Sequence, residues 1–94
     1  MVIDPEQHEV SALLARLPAG AQRRVVEIGC GDGRLTRRYS SKVASVLAID
    51  PDAADIALFR SGGVDSNVDV RAMSIEQLHL PDASVEVVLF SWAL

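Results

Sequence analysis

Scarcity sets the first limits on this chain. It has a single cysteine, Cys30, among 94 residues, so no intrachain disulfide can form, and a reducing, cytoplasmic setting is the expectation. Basic residues are few: nine Lys and Arg against thirteen Asp and Glu give a net charge of −4 and a pI near 4.9. A nucleic-acid surface needs a basic stripe. Arg34, Arg37, Arg38 and Lys42 are the nearest approach to one, and they read as the solvated face of one helix. Nucleic acid is therefore not an expected partner. No apolar run approaches the roughly 20 residues of a membrane span. Met1–Pro5 lacks the basic-then-apolar order of a secretion signal, and no metal centre is expected.

What the chain does have is apolar mass. Hydrophobic residues make up 49% and mean hydropathy is +0.21, which a sheet buried on both faces explains. The length suits one domain, 1–94, with little margin of stability.

One stretch organises the rest. Val25-Val26-Glu27-Ile28 is an apolar run interrupted by one acid, and Gly29-Cys30-Gly31-Asp32-Gly33 follows it. This reads as strand, tight turn and helix, the opening unit of a Rossmann-like sheet. The strand spans about Arg24–Ile28, and the helix about Gly33–Ser40. Before it, Asp4-Pro5 starts a helix with Val10, Leu13, Leu14 and Leu17 on one face. Pro18-Ala19-Gly20 ends that helix, and His8 lies on its surface. After it, Ser45–Ile49 is a second strand closed by Asp50. Pro51-Asp52 opens a helix carrying Ala53, Ala54, Ile56, Ala57 and Phe59, which Ser61-Gly62-Gly63 breaks. Val68–Ala72 alternates as a third strand. Met73–Leu80 is a loop or short helix, Pro81–Ser84 a turn, and Val85–Phe90 a nearly all-apolar fourth strand. Strands alternating with helices predict an α/β fold, a parallel sheet with helices on both faces.

Two acids then point to a ligand. Glu27 and Asp50 end adjacent parallel strands, on the edge where such sheets bind ligands. A carboxylate after the second strand matches the two hydroxyls of a ribose. A dinucleotide fingerprint requires G-x-G-x-x-G, but Arg34 holds its last position and Gly33 comes one residue early. Glu27 would also repel a pyrophosphate, whereas it suits an ammonium group. S-adenosylmethionine, with an amino-acid end, a sulfonium and no phosphate, fits better than a nicotinamide dinucleotide. Plainer roles stand beside these. Cys30 is a small residue in a tight turn as well as a thiol near a helix N-terminus. Asp32 and Asp52 suit helix caps, His79 an exposed loop, and Trp92 the core or a pocket wall.

At this point the sequence resembles the class I S-adenosylmethionine-dependent methyltransferases. Val25–Gly33 is similar to that family's first motif and Val46-Leu47-Ala48-Ile49-Asp50 to its second. Leu78-His79-Leu80-Pro81-Asp82-Ala83-Ser84-Val85-Glu86-Val87-Val88 resembles its approach to the fourth strand. The likeness runs from about residue 24 to 94 and is nearest to the small-molecule and lipid-quinone branch. It implies a cofactor site in which Gly29, Cys30, Gly31 and Gly33 pass the methionine part and Glu27 helps to place its amino group. Asp50 would take the ribose hydroxyls, Pro51 would border the adenine, and Ser74 and Ile75 would flank its other side. Ser74 stands where many relatives have an acid. The family sheet has seven strands, of which this chain would supply strands 1 to 4 in the order 3-2-1-4, the N-terminal half of the domain.

The implied chemistry is methyl transfer to a small-molecule acceptor, with no residue here marked as a catalytic base. A non-catalytic cofactor-binding or dimerisation module is the alternative, and a nicotinamide-dependent oxidoreductase fragment is a third, disfavoured by the glycine spacing. With strand 4 at the edge of a half-sheet, its apolar run would be open to pairing, so a homodimer through that edge is expected.

Overall fold

The computed structural model describes residues 2–3, 24–79 and 87–91. The expected helix after Asp4-Pro5 with His8, the Pro81–Ser84 turn, residues 85–86 of the fourth expected strand, and Trp92 lie outside them.

Among the described residues, five strands form one parallel sheet: β1 Val2–Ile3, β2 Arg24–Ile28, β3 Ser45–Asp50, β4 Val68–Ala72 and β5 Val87–Phe90, in the order β1-β5-β2-β3-β4. Counted from Arg24, β4-β3-β2-β5 is the expected 3-2-1-4. β2 is central, and Val25 to Ile28 are all buried. Its alternate residues feed two cores, as period-two side chains on a doubly covered strand must. On one face Val25 joins Val46, Ala48, Val87 and Leu89 with Leu35, Tyr39, Ile56 and Phe59. On the other, Val26 and Ile28 join Ile49, with Leu47, Met73, Val88 and Phe90 packed against them.

The open edge expected on strand 4 is corrected. Val2 pairs with Val88 and Ile3 with Leu89, so β1 occupies the outer side of β5 along these residues. A two-residue strand is too short to show alternation, and Asp4-Pro5 directly behind it reads as a helix start. Only the long-range pairing reveals it.

The helix expected over Gly33–Ser40 is also corrected. Only Thr36–Tyr39 is α-helical (α1), followed by a 3₁₀ turn over Ser40–Lys42. Gly33 has φ +87°, which no helix contains. The Asp32 side chain accepts from Arg34 N at 3.2 Å, and Gly33 N donates to the Cys30 carbonyl at 3.1 Å. The chain therefore spends Gly31 to Leu35 in turns before α1 begins. By contrast, α2 Ala53–Ser61 matches its reading. The Asp52 carboxylate caps it, accepting from Ala54 N and Asp55 N, and Ile56 and Phe59, three residues apart, are its buried face.

Arg37 is exposed, as Arg34, Arg38 and Lys42 are, and from that solvated face it also ties α1 to α2. Its guanidinium donates to the Asp32 carbonyl at 2.9 Å, and to the Phe59 and Gly63 carbonyls at 2.9 and 3.2 Å. It also stacks 5.0 Å from the Phe59 ring centroid.

Candidate cofactor site

The site begins where the three central strands stop. Gly29 N and Cys30 N both donate to the Ile49 carbonyl, at 2.8 and 3.0 Å, and Ser91 N donates to the Ile28 carbonyl at 2.9 Å. These bonds extend the ladder past the strand ends and hold three segments against one another. Between them and α1 is a cavity of about 580 Å³, lined by Gly29, Cys30, Gly31, Asp32, Arg34, Leu35, Arg38, Asp50, Asp55 and Ser91.

Asp50 ties the edge together. Its Oδ2 accepts from Gly31 N at 3.0 Å and its Oδ1 accepts from Asp52 N at 2.8 Å. Gly31 has φ +56°, the left-handed turn that aims its N–H back across the loop at Asp50. A Cβ there would lie 3.9 Å from Asp55 Oδ2, so the Asp55 carboxylate lies over this glycine. Burial raises the Asp55 pKa, and Asp52, Asp50 and Asp32 push it the same way. The lining thus carries three carboxylates, Asp32, Asp50 and Asp55, and two exposed guanidiniums, Arg34 and Arg38; Arg34 pairs with Asp32 at 3.5 Å.

Behind the loop, Glu27 is fully buried and does not line the cavity. Its Oε1 accepts from Thr36 Oγ1 at 2.7 Å and Tyr39 OH at 2.5 Å, and its Oε2 accepts from Ser91 Oγ at 2.8 Å. An unpartnered acid here would be costly; three hydroxyls supply partners. Burial still holds its pKa above the ordinary value, with the three hydrogen bonds opposing that rise. The same burial, with Glu27 and Asp50 nearby, pushes the Cys30 thiol up to about 12. Cys30 is therefore a small wall residue and not a reactive thiol.

The expected site residues divide into two groups. Gly29, Cys30, Gly31 and Asp50 meet around the cavity, and Glu27 stands one layer behind. Gly33, Pro51, Ser74 and Ile75 are not among the lining residues. Gly33 is shaped by packing: a Cβ on it would lie 2.6 Å from the Phe59 ring. Pro51 is exposed, and Ser74 is half-buried at the start of a 3₁₀ turn over Ile75–Gln77. Its N–H and hydroxyl both donate to Gln77 Oε1, at 2.9 and 3.3 Å. Met73 N donates to the Asp50 carbonyl at 3.1 Å, which keeps this segment on the same edge as Asp50. His79 is exposed.

The hydroxyl shell of Glu27 was missed by sequence reading, and so was Ser91 as a wall of the cavity. A partial signal existed: Thr36 and Tyr39 are spaced i, i+3 on one helical face, where polar groups must find a partner if buried. Ser91, 64 residues from Glu27, had no local signal.

Comparison with known proteins agrees with this geometry. A family described as a methyltransferase domain matches residues 25–94. A trans-aconitate 2-methyltransferase of Mycobacterium sp. (strain KMS) is 42% identical over 80 residues, which are 82% of this chain and 29% of that protein. A ubiquinone biosynthesis O-methyltransferase of Agrobacterium fabrum is 35% identical over 68 residues, 70% of this chain and 27% of that protein. Among solved structures, an S-adenosylmethionine-dependent methyltransferase from Mesorhizobium loti superposes with a TM-score of 0.67 at 31% identity, over 85% of this chain and 37% of that one. The chain thus spans less than a third of the length of these two curated relatives. With β4-β3-β2-β5 in the expected order and the glycine loop at its carboxyl edge, the chain belongs to the S-adenosylmethionine-dependent methyltransferase family and carries the N-terminal, glycine-loop part of its fold.

Proposed function

We propose that residues 1–94 form one S-adenosylmethionine-binding domain, and that the whole protein transfers the cofactor's methyl group to a small-molecule acceptor in the cytoplasm. The observation that carries the reading is Asp50. Each of its carboxylate oxygens accepts one backbone N–H, which uses about two of roughly four lone-pair sites. The two left over, beside a cavity of about 580 Å³ within the range of small-molecule sites, match the paired hydroxyls of a ribose.

The charge around the cavity supports the same ligand class. Asp32, Asp50 and Asp55 line the cavity together with Arg34 and Arg38, Arg34 pairs with Asp32, and Glu27 lies behind the loop. The acids outnumber the guanidiniums here, and beside Asp50 and Asp55 a ligand with an ammonium and a sulfonium is favoured over a pyrophosphate. That favours S-adenosylmethionine over a nicotinamide dinucleotide. α1 is a single turn, so phosphate binding at a helix N-terminus has little to work with.

Gly29, Cys30 and Gly31 are the proposed wall for the methionine part, with Glu27 behind them and Gly33 shaping the loop. Pro51, Ser74 and Ile75, on the same sheet edge as Asp50, are the proposed adenine side. When bound, the cofactor supplies an activated methyl group; this chain's residues bind and orient it. The relatives' names denote trans-aconitate methylation and a step of ubiquinone biosynthesis, both small-molecule chemistries, which supports the acceptor class. A non-catalytic cofactor-binding or dimerisation module is the alternative reading, and β1 covers part of the β5 edge that motivated self-association.

Calorimetric titration with S-adenosylhomocysteine and with NADH tests the reading. Saturable binding of the first alone, at least about tenfold weaker in Asp50→Asn, is the expected result. Binding of NADH, or no binding by a folded chain, would sink it.

A further inference from the structure

At the side of the sheet away from β1, β4 is an edge: among the described residues only β3 pairs with it. Val46 N donates to the Asn67 carbonyl and Met73 N to the Asp50 carbonyl, at 2.9 and 3.1 Å. The backbone groups of residues 67, 69, 71 and 73 therefore face β3, and by alternation those of Val68, Val70 and Ala72 face outward. Two of these outward groups are occupied. Val68 N donates to the Asp65 carbonyl at 3.0 Å. Arg60, in the last turn of α2, donates from Nη2 to the Val70 carbonyl at 2.6 Å. Among the described residues, no protein group takes up the others.

This edge is also chemically complementary to itself. Val68-Asp69-Val70-Arg71-Ala72 runs apolar, acid, apolar, base, apolar. Laid antiparallel on a second copy about Val70, it sets Val70 against Val70, Val68 against Ala72, and Asp69 against Arg71 of the second copy. The two Val70 residues then exchange both N–H and C=O, and each Ala72 N reaches a Val68 carbonyl. Asp69 and Arg71 are exposed and pair with each other at 2.7 Å within the chain, so both charges can trade that contact for one across the strands. What blocks the centre of the pairing is the Arg60 side chain.

We propose that the β4 edge is a self-association surface for a second copy of this chain, and that the Arg60 guanidinium on the Val70 carbonyl holds it closed. With Arg60 in place, an incoming β4 must displace a charge-assisted hydrogen bond. It also brings its own Arg60 to the same two-fold axis, where the two like charges repel. A cation turned over an edge strand blunts it in this way. With Arg60 withdrawn, the central carbonyl is free and two copies join their sheets in antiparallel register about Val70.

Sedimentation velocity of the full chain beside Arg60→Met tests this. Methionine keeps an apolar stem and removes the donors. The variant should self-associate at least about tenfold more tightly than the wild type. Adding Asp69→Arg sets arginine opposite Arg71 and should weaken that association about tenfold. Adding Arg71→Asp as well restores opposite charges and should recover it. Amide exchange identifies the edge: Val70 N–H and Ala72 N–H should become protected in the associated variant. Equal association of the wild type and Arg60→Met, indifference to the charge reversal, or protection confined to β5 overturns the proposal. If Arg60→Met does not fold, Arg60→Gln, which is too short to span to Val70 as arginine does, carries the same comparison.

Discussion

Glu27 sits in the central strand with no solvent exposure, and its burial has a consequence for stability. Folding raises its pKa above the ordinary value of 4.5, so the native state keeps a proton that the unfolded chain releases. The associated stability is full below pH 4.5 and is lost as pH rises toward the folded value. Glu27→Gln escapes that loss. Its urea midpoint should gain on the wild type as pH rises above 4.5; a constant offset would contradict the assignment. Gly33 shows a different constraint. Gly33→Ala combines a φ of +87° with a Cβ 2.6 Å from Phe59 and should cost about 2–4 kcal/mol. At Gly63, φ is +90° but nothing lies within 4 Å of an added Cβ, so Gly63→Ala should cost only about 1–2 kcal/mol. Similar thermal shifts for the two would remove the Phe59 contact as the cause. Cys30, with its thiol near 12, should resist alkylation in the native chain and react on unfolding.

At the scale of elements, legibility followed locality. α2 was readable because its signals lie within a few residues: Asp52 as cap, Ile56 and Phe59 as face, Gly62-Gly63 as stop. Asp52→Ala should cost about 1 kcal/mol and speed amide exchange at Ala54 and Asp55; unchanged exchange would show the cap to be idle. α1 was not readable, because the glycine loop consumes residues that the pattern assigns to a helix. What fixes α1 is long-range: Thr36 and Tyr39 reach Glu27, and Arg37 reaches Phe59 and Gly63. Arg37→Lys loses the fork that serves three carbonyls and should lower stability by about 1–2 kcal/mol.

At the scale of the molecule, β1 covers part of the β5 edge through Val2 and Ile3. Deleting Met1–Ile3 should leave backbone donors and acceptors of β5 unpaired and promote concentration-dependent association. Sedimentation velocity of the deletion variant beside the intact chain reads this directly. Identical, concentration-independent sedimentation of both would mean that β1 protects nothing.

By itself the sequence determined the parallel sheet, the glycine loop and the placing of that loop and Asp50 on one sheet edge, while the order of the central strands came from the family resemblance. The first three follow from apolar runs, turn residues and caps, whose physics acts over a few residues. The tertiary structure alone decided the rest. It set Gly33 against Phe59 instead of the cavity, shortened α1, laid β1 on β5, and brought Ser91 from 64 residues away to a buried carboxylate. A buried acid must find hydrogen-bond partners wherever the fold supplies them, and no local pattern says which residues those will be.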